Sequence, residues 1–404
     1  MSEPIVAPAP RSPLLSIWWA PRRAADDIVA ARPGAWLVLL LAVFGGMAGA
    51  VNLLSGVVGT GGGLIDGRLL LGALLVGGSL FGLVTLYVSA YLLSRVGRGL
   101  GGEVSAATMR AVLAFAMLPS ILGLLLSLLV AWLVPSVSSA VLQLISGVCT
   151  LWAIIVALLM LARAARFGVG KTLLAYAVAT WLIPVLAASL IRSFLFQPFS
   201  IPSGSDVPTL LVGDYVFATK YAYGYTRFSI PFSPPIFSGR LLARDPARGD
   251  VVVFRLPDGQ TDYVKRIVGL PGDRVQMKDG QLFINDAPVA RERIDDLVDA
   301  DACGTESVGR VKRWRETLPN GVSYDTLDCV DGGYYDTTNP YRVPPGHVFT
   351  IGDNRDNSTD SRMLTAVGYI PFENLIGRVG MIFFSREAGA PGHVRFERIG
   401  TVVR

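Results

Sequence analysis

Apolar residues follow two different rhythms along this chain. Up to about residue 195 they form long charge-free runs, roughly 35–56, 69–94, 111–134, 140–162 and 172–191. Each is close to the length of about 20 residues that a helix needs to cross the hydrocarbon core of a bilayer. Pro119 and Pro184 fall inside the third and fifth runs, where neighbouring helices can satisfy the carbonyls a proline frees. Beyond residue 200 the runs shorten and alternate. Asp250–Phe254 and Asp262–Val268 read as strands, the second closed by the turn Gly269–Asp273. Val275–Ile284 reads as a hairpin with Asp279-Gly280 at its tip. His347–Ile351 and Arg378–Phe384 are further strands, and no long amphipathic helix is evident. Residues 288–345, rich in charge, Gly and Tyr, read as an insertion. The pattern predicts an N-terminal α-helical membrane bundle of about five transmembrane helices, followed by a mainly β domain.

Charge orients the bundle. Arg11, Arg22, Arg23 and Arg32 precede the first run; Arg95, Arg98 and Arg110 lie between the second and third; Arg163, Arg166 and Lys171 lie between the fourth and fifth. The other two connections hold only Arg68 and no basic residue at all. By the positive-inside rule the N-terminus is cytoplasmic, and five crossings place the polar half on the outer side. The expected organisation is a cytoplasmic segment at 1–34, a four-helix region at 35–170, a transmembrane anchor at 171–195 and an extracytoplasmic domain at 196–404. The Pro-rich start does not have the build of a cleavable signal peptide.

Composition agrees: 51% of the 404 residues are hydrophobic and 17% charged, against about 25% charged in soluble domains. The net charge of +5 is explained by topology, so no nucleic-acid partner is expected. None of the five runs contains an ionisable Asp, Glu, Lys or Arg, which speaks against an ion-coupled transporter. The glycines of VFGGMAGA and LVGGSLFG allow close helix packing, or alternatively a transport path. Cys149 lies in an apolar run; Cys303 and Cys329 can pair if the polar half meets an oxidising compartment. Cysteines and histidines lack zinc-ligand spacing, so neither a metal nor a cofactor is expected. Gly97–Gly102 matches G-x-G-x-x-G but sits between two membrane helices, not in a βαβ unit.

The candidate chemistry starts at Ile201–Leu210, IPSGSDVPTL, just beyond the fifth run. A serine hydroxyl needs a base to become a nucleophile. His347 and His393 have no evident placement beside Ser203 or Ser205 and read as surface residues. A lysine serves if its amine is neutral, which an apolar, desolvated position favours. Lys265 lies mid-strand between Tyr263-Val264 and Ile267-Val268, with Arg266 on the opposite face. One of the two must therefore face inward or lie at a site. Gly352–Arg362, GDNRDNSTDSR, reads as a solvated loop, as a calcium loop lacking the terminal Glu of an EF-hand, or as an ordered support for an active site.

Taken together and in order, IPSGSDVPTLLVGD, RGDVVVF, DYVKRIVGLPGDRV and GDNRDNSTDSR resemble bacterial type I signal peptidase, the leader peptidase, over roughly residues 195–385. The resemblance implies a mainly β catalytic domain on the outer, periplasmic side of the bacterial cytoplasmic membrane. It implies a serine endopeptidase that removes signal peptides from exported proteins after an Ala-x-Ala-type site. Ser205 would be the nucleophile and Lys265 the general base; Ser203 and the Ser205 N–H would form the oxyanion hole. Ser358 would hydrogen-bond the lysine amine, Asp360 and Arg362 would buttress the site, and Asp353 would pair with Arg266. Phe199, Ile201, Pro202, Leu210, Val253, Tyr263 and Val264 would line the substrate pockets. Implied partners are signal peptides of preproteins, membrane lipid and the secretion machinery.

The sequence departs from this pattern at Asp206, where the family usually has Met. Two readings stand: Asp206 points to solvent and leaves an active enzyme, or it lies beside Lys265 and slows it. The alternative from another class is a scaffold that binds signal peptides without cleaving them. Ser16–Arg23, SIWWAPRR, with the four runs after it, is similar to the Yip-type membrane domain. Its role would be oligomerisation, partner docking or lipid contact. Phe228–Ser238, apolar and Pro-broken, reads either as a core loop or as a segment dipping into the outer leaflet.

Overall fold

The computed structural model describes residues 12–58, 73–102, 104–134, 136–257, 261–298, 303, 309–387 and 393–403, with the backbone alone described at 51–58 and 73–75. The Pro-rich start, Arg68 and the beginning of the second apolar run lie outside these residues, as does part of the 288–345 segment. The chain divides into two compact units, Met1–Ala187 and Ala188–Arg404.

The first unit is helical. An amphipathic helix α1 (Pro21–Ala31) precedes α2 (Ala35–Val58), α3 (Ser79–Gly99), α4 (Ala106–Ala116), α5 (Leu118–Leu133), α6 (Ser139–Ala164) and α7 (Val169–Ala177). Among the described residues, four helical stretches are long and apolar enough to cross a membrane: Val76–Gly99, Ala106–Leu133, Ser139–Ala164 and Val169–Phe194. The helix α2 is apolar too, and its side chains are described to Ala50. Helices α2 and α3 meet through the glycines singled out in the sequence. A Cβ on Gly82 would lie 2.1 Å from the Ala42 carbonyl oxygen, and one on Gly46 would lie 2.2 Å from that of Gly78. Only glycine permits that approach, the packing that membrane helices use where no hydrophobic effect drives them together. The Gly97–Gly102 motif is the C-terminal cap of α3, with Gly101 left-handed at φ 89° and Gly102 N–H on the Gly97 carbonyl at 2.9 Å.

Helix α8 (Ile183–Phe194) leads into the second unit, whose described strands are β1 (Phe196–Ser200), β2 (Asp214–Thr219), β3 (Val251–Arg255), β4 (Asp262–Gly269), β5 (Arg274–Lys278), β6 (Gln281–Ile284), β7 (Ala287–Pro288), β8 (Ala290–Leu297), β9 (Val311–Thr317), β10 (Ser323–Asp328), β11 (Tyr341–Arg342), β12 (His347–Ile351), β13 (Ile370–Pro371) and β14 (Leu375–Ser385). They form a seven-stranded sheet ordered β1-β2-β14-β3-β4-β12-β13, a four-stranded sheet β11-β5-β6-β7 and a three-stranded sheet β10-β9-β8. The helical bundle and mainly β domain agree with the expected fold class.

Strand β3 sits in the middle of the large sheet and is buried on both faces. Val251 and Val253 pack on one side with Val216 and Ile376; Val252 and Phe254 pack on the other with Ile267 and Val348. Its unbroken VVVF run is what a doubly covered strand requires. The β5–β6 hairpin turns where expected, with Asp279 (φ 47°) and Gly280 (φ 73°) both left-handed, as a two-residue type I′ turn demands. Part of the 288–345 segment proves to be ordered structure: β8, β9 and β10 pair antiparallel into their own sheet. Cys303 and Cys329 form a disulfide, with Cα atoms 5.9 Å apart.

Candidate active site

The register between β3 and β4 sets the site. Val252 opposes Lys265 and Val253 opposes Val264. Both Lys265 and Arg266 are buried, at 3% and 1% exposure. The sequence required only one of them to face inward; instead each face of β4 buries a cation against its own carboxylate. Arg266 takes Asp353 in a bidentate pair, Nε and Nη2 each 2.8 Å from a carboxylate oxygen, and also donates to the Gly249 carbonyl at 2.8 Å. Its guanidinium lies 4.1 Å from the Tyr324 ring centroid.

Lys265 Nζ lies 2.6 Å from Ser205 Oγ, 2.6 Å from the Val264 carbonyl oxygen and 3.0 Å from Asp206 Oδ2. Ser205 Oγ in turn donates to the same Asp206 oxygen at 2.9 Å, and Ser203 Oγ lies 3.3 Å from Ser205 Oγ. The turn that presents Ser205 is closed by Val207 N–H on the Gly204 carbonyl and Leu210 N–H on the Asp206 carbonyl, with a cis bond at Val207–Pro208. Asp206 therefore does not point to solvent: it is 4% exposed and hydrogen-bonds both candidate catalytic atoms. Burial pushes its pKa above the ordinary carboxylate value; Lys265 opposes the shift and Asp353 adds to it.

The segment 352–362 lies against this turn. Arg362 grips Asp360 through Nε at 2.9 Å and Nη2 at 2.8 Å, and Asp360 Oδ2 accepts from Gly352 N–H at 3.0 Å. Burial alone would raise the Asp360 carboxyl, but the Arg362 guanidinium, together with the Gly352 N–H and the Ser358 hydroxyl, holds it below the usual range. A Cβ on Gly352 would come within 2.2 Å of Ser358 Oγ and 2.5 Å of the Ser205 carbonyl oxygen, so the segment closes only with glycine there. Ser358 does not make the expected hydrogen bond to the lysine amine. The Val264 carbonyl occupies a position on the amine instead.

A cleft of about 440 Å³ opens over the serine and lysine. Phe199, Ile201, Pro202, Val253, Tyr263 and Val264 line it, joined by Asp206, Asn357 and Thr359. Leu210 does not line it; with no exposed surface, it packs behind Ile201 in the core. Neither histidine belongs to the site: His347 Nδ1 bonds the Pro345 carbonyl and His393 faces Glu387. A second buried lysine escaped the sequence reading. Lys220, pushed down to about 8 chiefly by burial and then by Arg192, donates to the Ser229 carbonyl. Spacing alone gives no sign of it, because its strand-end position resembles an ordinary exposed lysine.

A lysine amine within hydrogen-bond reach of a serine hydroxyl, both buried at the base of an open cleft, is an arrangement suited to a serine hydrolase whose base is lysine. The signal peptidase, peptidase S26, family model matches residues 174–384, and a Yip1 domain model matches residues 15–191. Signal peptidase I of Rickettsia typhi is 39% identical over 216 residues, 51% of this chain and 79% of the relative. That of Rickettsia akari is 40% identical over 210 residues, 50% and 76% of the two chains. A crystal structure of a signal peptidase I from Enterococcus faecalis is similar at 25% identity, covering 34% of this chain and 97% of that one, with a TM-score of 0.20. The chain belongs to the signal peptidase family.

Proposed function

We propose that this protein is a membrane-bound serine endopeptidase that removes N-terminal signal peptides from exported proteins, cleaving after a small residue through Ser205 and Lys265. The observation that carries this reading is the 2.6 Å separation of Lys265 Nζ and Ser205 Oγ at the floor of the cleft. As a free amine, Lys265 accepts the Ser205 proton as Oγ attacks the scissile carbonyl. The oxyanion lies between the Ser203 hydroxyl and the Ser205 N–H. The lysine then protonates the leaving amine, and as a free amine again it activates the water that hydrolyses the acyl-enzyme. Ile201 and Val264 offer apolar walls that suit alanine side chains. Asp353 holds Arg266, while Asp360 and Arg362 hold the 352–362 segment against the serine turn.

The basic loops favour a cytoplasmic N-terminus and a β domain on the outer face of a bacterial cytoplasmic membrane. Membrane lipid is the natural neighbour of one rim of that domain. The Phe194 ring packs edge-on against Tyr225, Phe196 packs against Tyr221, and Tyr225 bridges to Leu241. Leu242, next to Leu241, is largely exposed, and Phe232 and Ile236 in the 228–238 segment are fully and largely exposed. An exposed apolar band continuous with the end of an apolar helix suits a lipid surface.

The test is cleavage of a purified preprotein bearing an Ala-x-Ala site by the full chain in detergent. Wild type should cleave; Ser205→Ala and Lys265→Ala should each lose activity by at least about a thousand-fold, as nucleophile and base act as one unit. Retained cleavage in either variant would reject the assignment. Binding without cleavage by wild type would mean a signal-peptide-binding scaffold.

A further inference from the structure

One residue grips two successive peptides of the serine turn. Asn354 follows Asp353 in the segment after β12 and has no exposed surface. Its side-chain amide donates to the Gly204 carbonyl at 3.0 Å, and its backbone N–H donates to the Ser205 carbonyl at 3.1 Å. The Gly204–Ser205 peptide is trans, so its carbonyl and its N–H point in opposite directions across one rigid plane. Holding the Gly204 oxygen on one side therefore aims the Ser205 N–H on the other. A donor on the carbonyl also polarises the peptide and makes its N–H a better donor.

Asn354 is itself fixed from behind. It forms a parallel bridge with Leu327 at the end of β10; Leu327 N–H donates to the Asp353 carbonyl at 2.9 Å and Arg355 N–H to the Leu327 carbonyl at 3.0 Å. The next turn of chain is pinned as well, with Cys329 N–H and Val330 N–H on Asp356 Oδ2 at 2.7 and 3.0 Å. The inserted sheet thus backs the residue that orients the nucleophile turn.

We propose that Asn354 is a positioning residue for the oxyanion-binding peptide: it touches no substrate and acts by setting the direction of the Ser205 N–H. The proposal rests on Ser205 being the nucleophile. Its effect belongs to the transition state, because the oxyanion exists only there, and a displacement of about 1 Å in such a group can cost about a hundred-fold in rate.

The experiment compares Asn354→Ala and Asn354→Asp with wild type, using the full chain in detergent. Asn354→Asp keeps the shape but presents an acceptor to the Gly204 carbonyl. Three quantities are read: kcat and KM for a peptide substrate; affinity for a peptide aldehyde, whose adduct with Ser205 carries the oxyanion; and affinity of uncleaved substrate in a Ser205→Ala background. Both variants should lose about ten- to a hundred-fold in kcat, with KM and uncleaved-substrate affinity within about two-fold of wild type. Aldehyde affinity should fall in parallel with kcat, and Asn354→Asp should be no better than Asn354→Ala. Unchanged aldehyde affinity, a loss of uncleaved-substrate affinity as large as the loss of kcat, or full activity in Asn354→Asp would each overturn the proposal. Failure of the underlying reading looks different: wild type would then form no aldehyde adduct, or Ser205→Ala would still cleave.

Discussion

Asp206 is the residue at which this site is most its own. Its carboxylate, 4% exposed, shares one oxygen between Ser205 Oγ and Lys265 Nζ, and burial raises its pKa in the folded state above the ordinary 3.8. The consequence for stability has a definite sign. Between the unfolded value and the raised folded value, the folded chain holds more protons than the unfolded one, so stability falls as pH rises through that window and stays lowered at neutral pH. Asp206→Asn should therefore raise the melting temperature at pH 7, and the gain should vanish as pH drops below the ordinary value of 3.8. Thermal unfolding of both proteins in detergent at acidic and neutral pH checks this; a gain equal at both would mean that charge burial is not its cause. The sequence marks this position by its departure from the family's usual Met. Whether the carboxylate turns outward or inward, though, is decided by the turn that closes over Gly204 and Asp206. That direction is not written in residue spacing. Nor is the pairing of Ser205 with Lys265: strand alternation offers Lys265 and Arg266 equally, and only the family's motif order and the β3–β4 register join a serine and a lysine sixty positions apart.

At the scale of elements, the β8–β10 sheet is the part least legible in the sequence. Strand β8 is ARERIDDL, mostly exposed on both faces, so it lacks the apolar run or alternation that revealed β3, β4 and β12. The sheet is organised around charge and aromatic surface instead. Arg291 lies over Trp314 at 4.0 Å, and Glu316, with no exposed surface, receives Arg355 through Nη1 at 3.0 Å and Nη2 at 2.5 Å, with Tyr324 donating to the same carboxylate at 3.0 Å. Arg355 follows Asn354 directly, so this ion pair ties the inserted sheet to the segment behind the nucleophile. Glu316→Ala leaves the Arg355 cation buried without its counter-charge, a loss of about 3–5 kcal/mol for pairs of this kind. Denaturant unfolding should show a destabilisation of that order, and the peptidase rate should fall with it. Destabilisation below about 1 kcal/mol would place Arg355 in the class of solvent-compensated pairs. By contrast, a replacement of both partners by apolar residues of similar volume should recover much of the stability but not the rate.

At the scale of the whole molecule, the two rhythms of the sequence did translate into two units, because a long apolar run and an alternating one have different ways of satisfying their backbone and burying their side chains. What the runs could not convey is the character of Phe228–Ser238. The structure divides the segment: Phe228 is buried, within 4.7 Å of Arg227 and 5.6 Å of Arg255, whereas Phe232 is fully exposed with φ 65° and Ile236 is 67% exposed. The segment is stapled at its start and projects its apolar tip. If that tip enters the lipid surface, its value to the enzyme depends on where the substrate is. Phe232→Ser combined with Ile236→Ser should leave the cleavage of a short soluble peptide in detergent unchanged, since neither residue lines the cleft. In proteoliposomes the same double variant should cleave a membrane-inserted preprotein several-fold more slowly, because each apolar side chain withdrawn from lipid removes about 1.5–3 kcal/mol of burial that would otherwise hold the cleft at the depth where the cleavage site emerges. Equal losses in detergent and liposomes would instead make the tip a part of the substrate-binding surface, and no loss in either would leave the rim without a role in processing.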